Sequence, residues 1–62
     1  MKKYTITAER DLEEMETSTA KDLTEAKKIA KAILKDEGAT TVWIWFTKNY
    51  PNCDYLFKME AV

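Results

Sequence analysis

The residues Thr40–Thr47 read T-T-V-W-I-W-F-T, and they constrain the fold more than any other stretch of the chain. In an extended conformation side chains alternate, so Val42, Ile44 and Phe46 point to one side and Trp43 and Trp45 to the other. Both faces of this strand are apolar, in a chain of only 62 residues. A domain of that size buries only about 60% of the surface its unfolded chain exposes. Small folds therefore often lean on disulfides, a metal or a partner. One cysteine excludes an internal disulfide, and the absence of histidine excludes a Cys/His zinc site. Of these staples oligomerisation stays open, with close packing of the chain's own side chains as the other route.

The remaining elements follow from periodicity. Lys3–Ala8 alternates Tyr4, Ile6 and Ala8 with Thr5 and Thr7, the pattern of a half-buried strand. Glu9–Ala20 carries five acidic residues (Glu9, Asp11, Glu13, Glu14, Glu16) and reads as a turn near Arg10–Leu12 followed by a short strand at Glu13–Thr19 that returns beside the first. Asp22–Gly38 is a helix. Asp22 serves as N-cap, with Glu25 three residues on completing a variant of the capping box. Leu23, Ala26, Ile29, Ala30, Ile33 and Leu34 form one apolar stripe, and Gly38 is placed to end the helix in the left-handed conformation. The strand Ala39–Lys48 follows, then a loop over Asn49–Asp54 with turn-favouring Asn, Pro and Asp, and finally an alternating strand at Tyr55–Val62. The last two strands are expected to form an antiparallel hairpin.

The order is β-(β)-α-β-β in a single domain over residues 1–62. It predicts an α+β fold in which one helix packs on one face of a three- or four-stranded antiparallel sheet. The covered face is expected to take Tyr4, Ile6, Val42, Ile44, Phe46, Tyr55, Phe57 and Met59 against Ile29, Ala30 and Ile33. A one-residue slip in register would exchange the two faces as a block.

Composition narrows function by exclusion. A net charge of −1, with 34% charged residues, is unlike a strongly basic nucleic-acid binder. No apolar run approaches the ~20 residues of a membrane span, and the lysines at Lys2 and Lys3 are not followed by the apolar core of a secretory signal. The single cysteine suits a reducing cytoplasm. One glycine leaves no room for a glycine-rich phosphate loop, and without histidine there is no Ser–His–Asp set. Cys53 has no base beside it. Its neighbour Asp54 raises rather than lowers a thiol pKa, so it reads as an incidental loop thiol. No catalytic, cofactor-binding or metal-binding residues are assigned, and the chain is expected not to be an enzyme.

The feature left over is the far face of the sheet. Trp43 and Trp45 project from it, with Leu56 and Lys58 across the hairpin and Thr41, Thr47 and Glu60 at the rim. No second helix exists to cover it, and a solvated sheet face is normally polar. Contiguous exposed apolar surface marks interaction sites, and tryptophan is enriched in their hot spots. Two covers are possible: the Glu9–Ala20 segment, with Leu12 and Met15 on the indoles, or a second molecule. The second defines the expected function, a small non-catalytic interaction or regulatory module that forms a homodimer or docks a protein partner through Trp43, Trp45, Leu56 and Lys58. Two other classes stay open. A nucleic-acid-associated protein could stack bases on the aromatic face or use Lys27, Lys28, Lys31 and Lys35 of the helix with Lys21 just ahead of it. A small acidic inhibitor could present Glu9–Glu16 to a basic site. The bland readings of these two runs are a solvated helix face and a solvated hairpin.

Overall fold

A computed structural model describes residues 2–52 and 54–61. Cys53 and Val62, read above as a loop thiol and a strand end, lie outside the described residues. The elements are β1 (Tyr4–Arg10), β2 (Glu13–Glu14), β3 (Ser18–Ala20), α1 (Leu23–Asp36), β4 (Thr41–Phe46) and β5 (Phe57–Glu60). All strand pairs are antiparallel. The sheet runs β2-β1-β4-β5, with β3 beside β2 on the same edge of β1. This is the expected α+β arrangement of one helix on an antiparallel sheet. The sheet counts five strands because the segment expected as one strand at Glu13–Thr19 is split in two.

The split has a register cause. Glu9 faces Glu14 and Ile6 faces Ser18, so two residues of β1 oppose three of the returning chain. The extra residue makes a bulge at Met15–Thr17, which bends the edge and interrupts pairing. The turn that starts this hairpin is tight. Arg10 pairs with Glu13, and Asp11 and Leu12 between them have φ of 52° and 71°. Two successive left-handed residues are the requirement of a type I′ turn, which favours Asn-Gly or Asp-Gly. Asp11 fits that preference and Leu12 does not. Leu12 is 89% exposed and contributes nothing to the core. Leu12→Gly is therefore expected to raise stability by about 1 kcal/mol, a left-handed penalty of roughly 1–2 kcal/mol less glycine's extra freedom in the unfolded chain. Thermal unfolding should show a melting temperature higher by about 4–8 °C, and an unchanged or lower value would mean that the turn is not strained.

The helix begins where its cap is. The Asp22 carboxylate accepts a hydrogen bond from the Glu25 backbone N–H at 2.8 Å. At the other end the Ile33 carbonyl accepts from the N–H groups of both Glu37 and Ala39, and Gly38 turns the chain at φ 72°. The nearest heavy atom to a Cβ built there is Arg10 Cδ at 4.0 Å, so glycine is needed for its conformation and not for space. Arg10 reaches this terminus and donates to the Glu37 carbonyl at 3.4 Å.

β3 and β4 run in the same direction with β1 between them, so the helix is the crossover that joins them. It consequently lies over β3, β1 and β4. The core beneath it is Ile6, Ala8, Ala20, Ala26, Ala30, Ile33, Ala39, Val42 and Ile44, with Tyr4, Met15, Leu23, Ile29, Leu34 and Met59 packed around it. Alanine at Ala20, Ala26 and Ala30 lets helix and sheet approach closely; all three are fully buried. The expected covered face is thus correct along β1 and β4 and wrong at its margins. Phe46, Phe57 and Tyr55 remain 43%, 39% and 44% exposed. Phe57 lies on the outer strand, beyond the three on which the helix is centred, and the Lys27 ammonium stands over it, 4.7 Å from the ring centroid. Phe46 stacks on its register partner Tyr4 at 5.5 Å. Tyr55 precedes β5, where the alternation used to place it no longer applies.

Candidate functional site

The β1–β4 register puts Thr5 opposite Trp45, Thr7 opposite Trp43 and Glu9 opposite Thr41, all on the side of the sheet away from the helix. β5 extends these rows, with Lys58 opposite Trp43 and Glu60 opposite Thr41. β2 extends the outermost row on the other side, with Glu14 opposite Glu9. The far face therefore carries one row of Glu14, Glu9, Thr41 and Glu60, and beside it a row of Thr7, Trp43 and Lys58. Trp43, Trp45 and Lys58 occupy the face expected of them. Leu56 is 37% exposed just before β5, where its N–H donates to the Ile44 carbonyl at 2.8 Å.

The two indoles have different surroundings. Trp45 is held from three directions. Its Nε1–H donates to Thr7 Oγ1 at 2.8 Å. Tyr50 and Tyr55 meet it edge-on, with centroids 5.0 Å and 6.0 Å away. Aromatic pairs favour this T-shaped geometry. The loop between β4 and β5 reaches back over the sheet to supply both tyrosines. Thr5, 4% exposed beneath this face, shares a 2.8 Å hydrogen bond with Thr47. Trp43 is half-buried and, among the described residues, meets no other aromatic ring.

The intramolecular cover expected from the sequence is not what lies over this face. The Glu9–Ala20 segment forms the edge of the sheet instead of folding over it, and Leu12 points away at the hairpin tip. Met15 packs against the core and lines the same cleft as the indoles. The cover of Trp45 is the β4–β5 loop. Its tyrosines are visible in the sequence, but the contact spans a loop of irregular backbone that periodicity does not describe.

Between the bulged edge and this loop lies a cleft of about 370 Å³. Trp43, Trp45, Tyr50, Pro51 and Met15 form its apolar walls, and Glu9 and Glu14 bring carboxylates to it. Another concavity, of about 510 Å³, lies among Lys2, Lys3, Phe46, Thr47 and Lys48. The helix lysines do not converge on a site: Lys27 lies over Phe57, and Lys31 and Lys35 flank a recess with Leu34 and Glu60.

Among the described residues the ion pairs are Lys2–Glu25 at 3.6 Å and Lys58–Glu60 at 3.0 Å. The hydrogen bond from Lys58 to Glu60, and then the charge of Glu60, hold the Lys58 ammonium above its ordinary value of 10.5. A raised lysine pKa favours the folded state at every pH below that ordinary value and stops doing so as pH climbs through the folded one. The Lys58 ammonium is therefore charged at neutral pH. No group of three or more potential metal-ligating side chains is assembled among the described residues. No helix among them is long and apolar enough to cross a membrane. No family model, curated protein or solved structure matches the chain.

Proposed function

We propose that this chain is a small non-catalytic interaction module that docks a protein on the Trp43/Trp45 face of its sheet. The observation that carries this reading is the aromatic cleft on that face, with Trp45 locked by Thr7, Tyr50 and Tyr55 and Trp43 left without a ring partner. A fixed indole beside an accessible one is a preorganised contact surface, and preorganisation reduces the entropy lost on binding. Leu56 and Lys58 on the neighbouring strand extend the contact, with Thr41 and Glu60 as a polar rim. A non-catalytic role suits a face whose carboxylates stand on an open surface, with no histidine in the chain to act as base. A reducing cytoplasm suits its lone thiol. The row of Glu14, Glu9 and Glu60 weighs against phosphate backbones on this face and favours a protein over a nucleic acid. The same row also weighs against a second copy of the chain, which would bring its own carboxylates to the contact.

Peptides selected from a random library on the immobilised protein test the reading, alongside sedimentation equilibrium of the free chain. The parent is expected to sediment as a monomer, and the selected peptides to lose binding to Trp43→Ala, whose fold is checked by circular dichroism. A dimer that dissociates on Trp43→Ala would keep the face and make its occupant a second copy. Selected peptides or a dimer insensitive to Trp43→Ala would remove the face from consideration.

A further inference from the structure

The Glu9–Glu14 pair is the least explained feature of the cleft. The Met15 N–H donates to the Ala8 carbonyl at 2.9 Å, so residues 8 and 15 are a hydrogen-bonded pair and Glu9 and Glu14 a non-hydrogen-bonded one. Opposed residues of that kind have Cα atoms only about 4.5 Å apart, with their side chains close together. Like charges directly opposite destabilise a sheet. Yet among the described residues neither carboxylate has a cation at ion-pair distance, since Lys58 is engaged by Glu60 and Lys2 by Glu25. Glu9 attracts the Lys58 ammonium only weakly, as the smallest of the contributions acting on it. Both glutamates line the same cleft as Trp43.

We propose that the cleft between the Glu9–Glu14 pair and the Trp43 ring receives an arginine side chain from a basic segment of a partner protein. The inference rests on the interaction reading above and names the partner's chemistry. A guanidinium is planar and weakly hydrated. It stacks on an indole face while its five N–H donors reach two separate carboxylate groups. Each half of the site then has a function the free fold does not use: the carboxylates gain a counter-charge, and the indole without a ring partner gains a cation on its face. Charge-assisted hydrogen bonds of this kind are the strong ones.

The test uses the full chain labelled with ¹⁵N and a short acetylated, amidated glycine–serine peptide carrying a central Arg-Arg pair. A matched peptide has citrulline, the neutral isostere, at both positions. The arginine peptide is expected to shift the Trp43 indole N–H resonance saturably by millimolar concentration, and the citrulline peptide is expected not to. Glu9→Gln and Glu14→Gln should each weaken binding at least tenfold. Glu14→Gln should also raise the urea midpoint of the free protein, because it relieves the opposed charges. A carboxylate retained for the fold would instead lower that midpoint on replacement. Equal binding of the citrulline peptide, undiminished affinity of both glutamine variants, a lowered midpoint, or no saturation would each overturn the proposal. If the selected peptides depend on Trp43 but contain no arginine, the cation is wrong and the interaction face stands; if none depends on Trp43, both fall.

Discussion

Ile44→Ala is expected to cost about 2–5 kcal/mol of stability, the range for truncating a buried aliphatic side chain that its neighbours cannot replace. Ile44 is fully buried in β4, between Ile6 of β1 and Phe57 of β5, under the helix. Stability of roughly 0.05–0.15 kcal/mol per residue gives a chain of this length about 3–9 kcal/mol in all. A single methyl-bearing side chain therefore carries a large share of the fold. The core explains why: of its nine buried members five are alanines, and Ile6, Ile33, Val42 and Ile44 supply nearly all of its bulk. Urea denaturation checks the value, with Ile44→Val as the graded control at about 0.5–1.5 kcal/mol. A loss below about 1 kcal/mol for Ile44→Ala would mean that the two faces of β4 are exchanged and that the tryptophans face the helix. The fold and the proposed site depend on the same register, because a shift of one residue moves every side chain of the strand to the other face.

Ala30→Leu is expected to destabilise by about 1–3 kcal/mol through overpacking. Ala30 is fully buried where α1 lies on β3, β1 and β4, and Ala20 and Ala26, equally buried, leave no slack beside it. Three added carbon atoms there must lift the helix or force side chains off their rotamers. Ala32 is the control, because it occupies the exposed side of the same helix. Leucine and alanine are both good helix formers, so Ala32→Leu should change stability by no more than about 0.5 kcal/mol. Equal effects at the two positions would show that the helix does not seat on the sheet through its alanines.

Much of the architecture was legible from the chain because the relevant signals are local. Asp22 caps the helix through a bond to a residue three positions on, and Gly38 ends it through its own φ. The stripe from Leu23 to Leu34 and the alternation in β1 and β4 state which face each element buries. The return of the chain after Arg10–Leu12 was legible too, since Glu14–Thr19 tolerates a strand with Met15 and Thr17 on one face. The bulge was not. It depends on which residues of β1 the returning strand meets, and alternation within one strand carries no count of its partner's residues.

The site was legible in part. Trp43 and Trp45 were identified as the apolar remainder of the sheet because two side chains at a spacing of two must share a face, whatever lies on it. That they differ was not visible. The difference comes from Tyr50 and Tyr55, brought back over Trp45 by a loop whose course is set by contacts and not by period. Nor did the acidic run show which two of its five carboxylates oppose each other, because that requires the turn type and hence the register.

By itself the sequence determined the elements, their order and the composition of their faces, since those follow from spacing of side chains along a single strand or helix. The tertiary structure decided everything lateral. The helix settled over β3, β1 and β4 because it is the crossover between two strands that flank β1, and it left Phe46 and Phe57 exposed at the margins. The same lateral pairing set Glu9 against Glu14 and aligned both with Trp43, three residues from separate strands that no one-dimensional pattern connects.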